Sequence, residues 1–153
     1  MKPNLEYKVE KFLEKEFKSK VGKLVLYDQN GDYLIFGKYV IKKLPKGEYL
    51  VKLKGTATEK TFYKLKNAVT WCVFDHRNII TTSARICSLD QQLYSTEAVI
   101  ELHQKLFKTT KNMDSKLIYL AKLNEEKIKK NYINFELNQY NEQADLFQKI
   151  NLS

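Results

Sequence analysis

The sequence predicts an α+β fold: a three-stranded antiparallel β-meander packed by a helix, flanked by an N-terminal helix and by a C-terminal helical hairpin with a long last helix. Three observations carry this expectation. The apolar residues recur at helical spacing near the start, switch to strand-like runs between Gly/Pro/Asn turn signals over about 22–54, and return to helical spacing from about 59 onward. The 5 Gly and 2 Pro in 153 residues concentrate in the middle part and leave the last hundred residues almost without breakers. A chain of this length, with 43% hydrophobic residues, can bury a core without disulfides or metal.

Each element follows in order. Residues 4–19 (NLEYKVEKFLEKEFKS) carry Leu5, Val9, Phe12 or Leu13, and Phe17 on one helical face, with Asn4 as N-cap. Two β-rich runs then flank Asn30-Gly31, a strong hairpin signal, and Pro45-Lys46-Gly47 marks a second turn. Strands are expected at about 22–28, 33–43 and 48–54. Alternation places Tyr39, Ile41, Tyr49, Val51 and Leu53 on one face and Lys42, Leu50 and Lys52 on the other. A helix over 59–76 follows, with Phe62, Leu65, Val69 and Cys72 on its stripe and Trp71 beside it. Helices at 82–94 and 96–111 come next, the second capped by Ser95. Asn112 breaks the chain and Asp114 caps a last helix to about 148.

The division expected is an α+β domain over 1–112 and a helical extension over 113–153, together one structural unit. The later apolar positions of that extension, Ile133, Leu137, Tyr140, Ala144 and Phe147, are spaced 4-3-4-3. A helix this long outruns a three-stranded sheet, so Ile133, Leu137, Tyr140 and Phe147 are the candidate interface to a partner or to a second copy.

Charge is unevenly spread. Residues 1–66 hold 16 Lys against 8 acids, whereas 67–153 hold 11 Lys/Arg against 10 acids. Only Arg77 and Arg85 are arginine. Lysine holds phosphate as a point charge and does not read base edges as the arginine fork does. Lys23, Lys38, Lys42, Lys52 and Lys54, interleaved with Tyr33 and Tyr39, are therefore the candidate surface for sequence-nonspecific DNA or RNA binding, phosphates on lysine and bases on tyrosine. An AT-rich coding sequence accounts for a Lys excess equally well.

Reaction chemistry finds little footing. Gly31 to Lys38 imitates a phosphate loop, but the spacing is one residue too long and Tyr39 stands where Ser or Thr is required. No G-x-S-x-G, H-E-x-x-H or dinucleotide glycine fingerprint occurs. Cys72, Asp75 and His76 fall within one helical turn, a spacing that suits a metal or a Cys–His pair. Cys72 lies on the core stripe, however, and a fourth ligand is wanting. The reading is structural: a core helix ending in polar residues, with no catalytic residue, metal or cofactor. Cys72 and Cys87 are expected reduced. No stretch has the length and hydropathy of a signal peptide or a bilayer span, so membrane partners are not expected.

The segments LKNAVTWCVFD (65–75), LHQKLF (102–107) and KLIYLAKLNEEKI (116–128), with the GDYLIFGKYVI hairpin, resemble small uncharacterised proteins of marine T4-like bacteriophages. The likeness covers roughly residues 30–128 and carries over no site residue. It implies a phage setting: a virion or assembly component in the host cytoplasm or the particle, not a secreted protein. The function expected is a non-enzymatic structural or interaction protein, with nucleic-acid binding as the alternative.

Overall fold

The structure, a computed structural model, describes residues 25–27 and 32–152. The expected helix at 4–19, the Asn30-Gly31 turn and Lys23 lie outside the described residues. The architecture is α+β: one antiparallel sheet with three α-helices among the described residues.

The sheet has five strands in sequence order: β1 Val25–Tyr27, β2 Tyr33–Ile35, β3 Tyr39–Lys43, β4 Tyr49–Leu53 and β5 Glu59–Phe62. Tyr27 pairs with Tyr33, so the chain reverses between β1 and β2. The single strand expected at 33–43 is two strands. Phe36 (φ 56°) and Gly37 (φ 71°) both adopt left-handed backbone, and Lys38 N–H donates to Ile35 C=O at 3.1 Å. Gly37 takes that conformation without steric cost. Phe36 does not, and its ring is anchored by stacking on His76 at 4.2 Å. Ile35 sits directly opposite Tyr39, so the tight turn preserves the facing of every side chain predicted from alternation.

The fifth strand is a correction to the helix expected from 59. Gly55 (φ 77°) reverses the chain after Leu53, and Thr56 N–H donates to Leu53 C=O at 3.2 Å. Residues 59–62 then complete the hydrogen-bonding edge of β4, with Leu50 opposite Thr61 and Tyr49 opposite Phe62. An unpaired strand edge offers backbone partners that a helix start at 59 would leave unused.

Tyr33, Ile35, Tyr39, Ile41, Val51 and Phe62 form the buried sheet face. Helix α1, Leu65–His76, packs on it: Trp71 meets Tyr39 edge-on at 6.0 Å and Phe62 at 6.0 Å. Its N-cap residue Lys64 makes no side-chain cap. The cap comes from elsewhere. Asp90, fully buried, accepts from Tyr63 N–H (2.7 Å), Lys64 N–H (3.2 Å) and the Asn67 amide (2.9 Å). Burial raises the Asp90 carboxyl pKa above its usual range, and those three donors offset part of the rise.

Helix α2, Ile80–Thr109, is continuous where two helices were expected. Ser95 does not break it, because a serine inside a helix costs only tenths of a kcal/mol, about 0.5 at most, and no Gly or Pro intervenes. Helix α3, Met113–Leu152, returns antiparallel. Asn112, not Asp114, caps it: the Asn112 Oδ1 accepts from Ser115 N–H at 3.1 Å and its carbonyl from Lys116 N–H at 3.0 Å. At 1.5 Å per residue α2 runs about 45 Å and α3 about 60 Å, against about 17 Å for a five-residue strand.

The common core takes Ile86, Leu89 and Leu93 from α2 and Ile133, Leu137 and Ala144 from α3. The chain leaves that core along α2 and comes back along α3. The part of α3 that outruns the sheet is therefore its first half, not the 133–147 stripe.

Candidate interaction surface

Two regions of α3 differ in what covers them. The second half is held inside the chain. Ile133 and Leu137 are buried, and Tyr140 and Phe147 set their rings edge-on to Phe74 at 6.1 and 5.4 Å. Thr70 donates its hydroxyl to Asn141 Oδ1 at 2.6 Å, and Arg77 lies over the Phe147 ring at 4.2 Å. Arg85 grips Glu136 with both arms of its guanidinium, at 2.7 and 2.9 Å, and Tyr140 donates to the same carboxylate at 2.9 Å. The Arg85 hydrogen bonds are the main cause that lowers the Glu136 pKa. The expected interface of Ile133, Leu137, Tyr140 and Phe147 is thus a correction. These residues satisfy α1 and α2 of the same chain, because the hairpin brings their half of α3 back to the core.

Among the described residues, the arm beyond Glu97 and before Lys130 is built chiefly from the two helices packed on each other. Ile100 and Leu123 are the buried apolar side chains of this arm. Glu97 ties its base, pairing with Lys64 at 3.3 Å and Lys130 at 4.0 Å. Two helices cannot enclose a core, since each covers a single stripe of the other. Leu102, Met113, Leu117, Ile118 and Leu120 are accordingly exposed around the tip.

A second apolar stripe runs along the back of α3, turned away from α2. Leu117, Ile128, Tyr132, Phe135 and Leu146 lie on it, each between 55 and 74% exposed. With 100° per residue they fall within one narrow sector, roughly opposite the buried stripe. Leu117 and Ile128 already share an apolar stripe in the sequence, but its continuation was missed because the 4-3-4-3 spacing of 133–147 accounted for the apolar residues of that segment. The leftover Phe135 and Leu146 are its only trace there.

The nucleic-acid candidates are not brought together as expected. Tyr33 and Tyr39 are buried, a correction with a plain cause: both belong to the face that packs under α1. Tyr39 donates its hydroxyl to Asp75 at 2.6 Å, and burial first, then that bond, raises its pKa. Neither tyrosine offers a face to a base. Lys42 pairs with Asp32 at 3.7 Å and Lys52 with Glu59 at 3.5 Å. Lys38 and Lys54 adjoin, with Lys54 N–H donating to Lys38 C=O at 2.9 Å.

The Cys72, Asp75 and His76 cluster is spread over three environments. The Cys72 thiol is fully buried, which pushes its pKa well up. Asp75 holds Tyr39, and His76 stacks on Phe36. Burial, then the neighbouring Lys38 and Arg77 charges, lowers the His76 pKa. No group of three metal-ligating side chains occurs among the described residues. A cleft of about 270 Å³ between the Pro45–Gly47 turn and α2 is lined by Lys46, Glu48, Tyr63, Lys64, Tyr94 and Glu97. Its tyrosines stack on each other at 3.8 Å and its Lys64 already pairs with Glu97.

No described helix is long and apolar enough to cross a membrane. In comparison with known proteins, no family model, no curated protein and no solved structure matches this chain.

Proposed function

We propose that this chain is a non-enzymatic structural or interaction protein, acting in a phage particle or its assembly, and that it contacts a protein partner through the α2–α3 arm and the outer face of α3. The observation that carries this reading is the exposed apolar stripe on the back of α3. Apolar surface left in water forgoes about 25 cal/mol per Å², and a contiguous patch of several hundred Å² marks an interaction site. The phage setting rests on the sequence resemblance alone.

Photo-crosslinking in cells that make the chain in its native setting tests this. A photoreactive phenylalanine analogue at Tyr132 or Ile118 is expected to give a discrete protein adduct. The same analogue at the exposed Ser88, on the core-proximal part of α2, is expected to give none. Absence of adducts at both sites, or equal adducts at Ser88, overturns the reading.

Nucleic-acid binding remains a second reading on one observation, the adjoining Lys38 and Lys54. Without tyrosine stacking it reduces to phosphate contact, so affinity for DNA falls steeply between about 50 and 200 mM salt and ignores sequence. Failure to bind at the lower salt removes it.

A further inference from the structure

The outer stripe of α3 has an order that names its partner. Outward positions recur every 11 residues: Leu117, Ile128 and Gln139 in one series, and Asn124, Phe135 and Leu146 in the other. An 11-residue repeat gives 3.67 residues per turn, close to the 3.6 of a straight helix, so the stripe stays on one side of α3 along its length. The two series mirror each other. Leu117 and Leu146 are equidistant from the point between Asn131 and Tyr132. So are Asn124 and Gln139, and so are Ile128 and Phe135.

We propose that the occupant of this stripe is a second copy of the same chain, lying antiparallel across a two-fold axis that passes between Asn131 and Tyr132. This deepens the interaction reading above and rests on it. A two-fold contact must be self-complementary, with residue i meeting j and j meeting i. The mirrored stripe meets that condition: Leu117 faces Leu146, Ile128 faces Phe135, and Asn124 faces Gln139 of the other copy. Apolar residues meet apolar residues, and the amide pair supplies a polar layer of the kind that sets register.

Charge favours the same direction. From 117 to 131 the helix carries four Lys against Glu125 and Glu126, a net of +2. From 132 to 146 it carries Glu136, Glu142 and Asp145 with no Lys or Arg; Glu136 is held by Arg85 and Asp145 by Lys66 of the same chain, which leaves the exposed Glu142 for a partner. The sign changes at the proposed axis. Antiparallel pairing lays the half with the exposed Lys127 and Lys129 on the half with Glu142, whereas parallel pairing would lay Lys on Lys. Fully covered aromatic side chains bury on the order of 150–250 Å², so the exposed parts of Tyr132 and Phe135 alone amount to roughly 300 Å² per copy, to which Leu117, Ile128 and Leu146 add, against the ~800 Å² per partner of a standard interface.

Sedimentation equilibrium of the purified chain is the test, with Ile128→Asp/Phe135→Asp as the disrupting variant and circular dichroism as the check that it folds. The expected result is a wild-type dimer and a folded monomeric variant. Register is read in a Cys87→Ser background by mixing Leu117→Cys chains with Leu146→Cys chains under oxidation. Disulfides are expected between the two species and not within either alone. A wild-type monomer at high micromolar concentration overturns the proposal, as does a dimer that survives the double substitution or a disulfide within the Leu117→Cys species. A monomer destabilised by the double substitution also overturns it and places a segment of the same chain on the stripe. A monomer that still gives an adduct with another protein from Tyr132 leaves the interaction reading standing and removes only the two-fold partner.

Discussion

Asp90 caps a helix it does not belong to: its carboxylate accepts the Tyr63 N–H at 2.7 Å, two residues before α1 begins. A helix N-terminus leaves unpaired N–H groups and a partial positive charge, and a carboxylate answers both. Here the carboxylate stands on α2, so the cap also locks the α1–α2 angle.

Replacing Asp90 with Ala strands two backbone donors and the Asn67 amide in a buried site. The expected loss is about 3 kcal/mol, with Asp90→Asn losing less because one acceptor remains. Urea denaturation measures both. A loss below about 0.5 kcal/mol for the alanine variant contradicts a cap role.

Leu137 and Phe135 are near neighbours in α3 with opposite surroundings, at 2% and 65% exposure. Leu137→Asp places a charge in the core and is expected to cost about 4 kcal/mol or more. Phe135→Asp is expected to change the unfolding free energy of the separated chain by no more than about 0.5 kcal/mol. Thermal melts of the two variants, run at low concentration, decide the point.

His76 gives a pH dependence. Its pKa is lowered in the folded chain, so the unfolded chain takes up the proton first as pH falls. The stability contribution is present above the unfolded value of about 6.5 and is lost as pH drops through the lower folded value. Wild type should therefore lose stability on acidification through this window more steeply than His76→Gln. An NMR titration that places the His76 midpoint above about 6.5 reverses the sign.

The two cysteines should separate kinetically. Burial raises both thiol pKa values, but Cys87 is only half-buried while Cys72 is enclosed. Labelling with a thiol reagent is expected to modify Cys87 in the native state and Cys72 only on unfolding. Fast native-state labelling of Cys72 would reopen the Cys72–His76 pair as a reactive site.

The α+β class, the inward face of the sheet and the Trp71 helix were legible in the residues, because alternation and helical spacing are local properties that survive packing. So was the burial of Cys72, since a thiol on a core stripe is buried wherever that stripe packs. Three matters depended on distant contacts. Strand β5 formed because β4 had an open edge, which no local propensity of 59–62 announces. Tyr33 and Tyr39 left the candidate nucleic-acid surface because the face they share is the one that α1 covers; alternation placed Tyr39 with the apolar residues, and packing decided that this face is closed. Which side of α3 stays exposed was decided by the hairpin's direction. Apolar spacing identifies stripes on a helix but not which of two stripes the rest of the chain will cover, and only the return of α3 along α2 assigned Leu137 to the core and Phe135 to the outside.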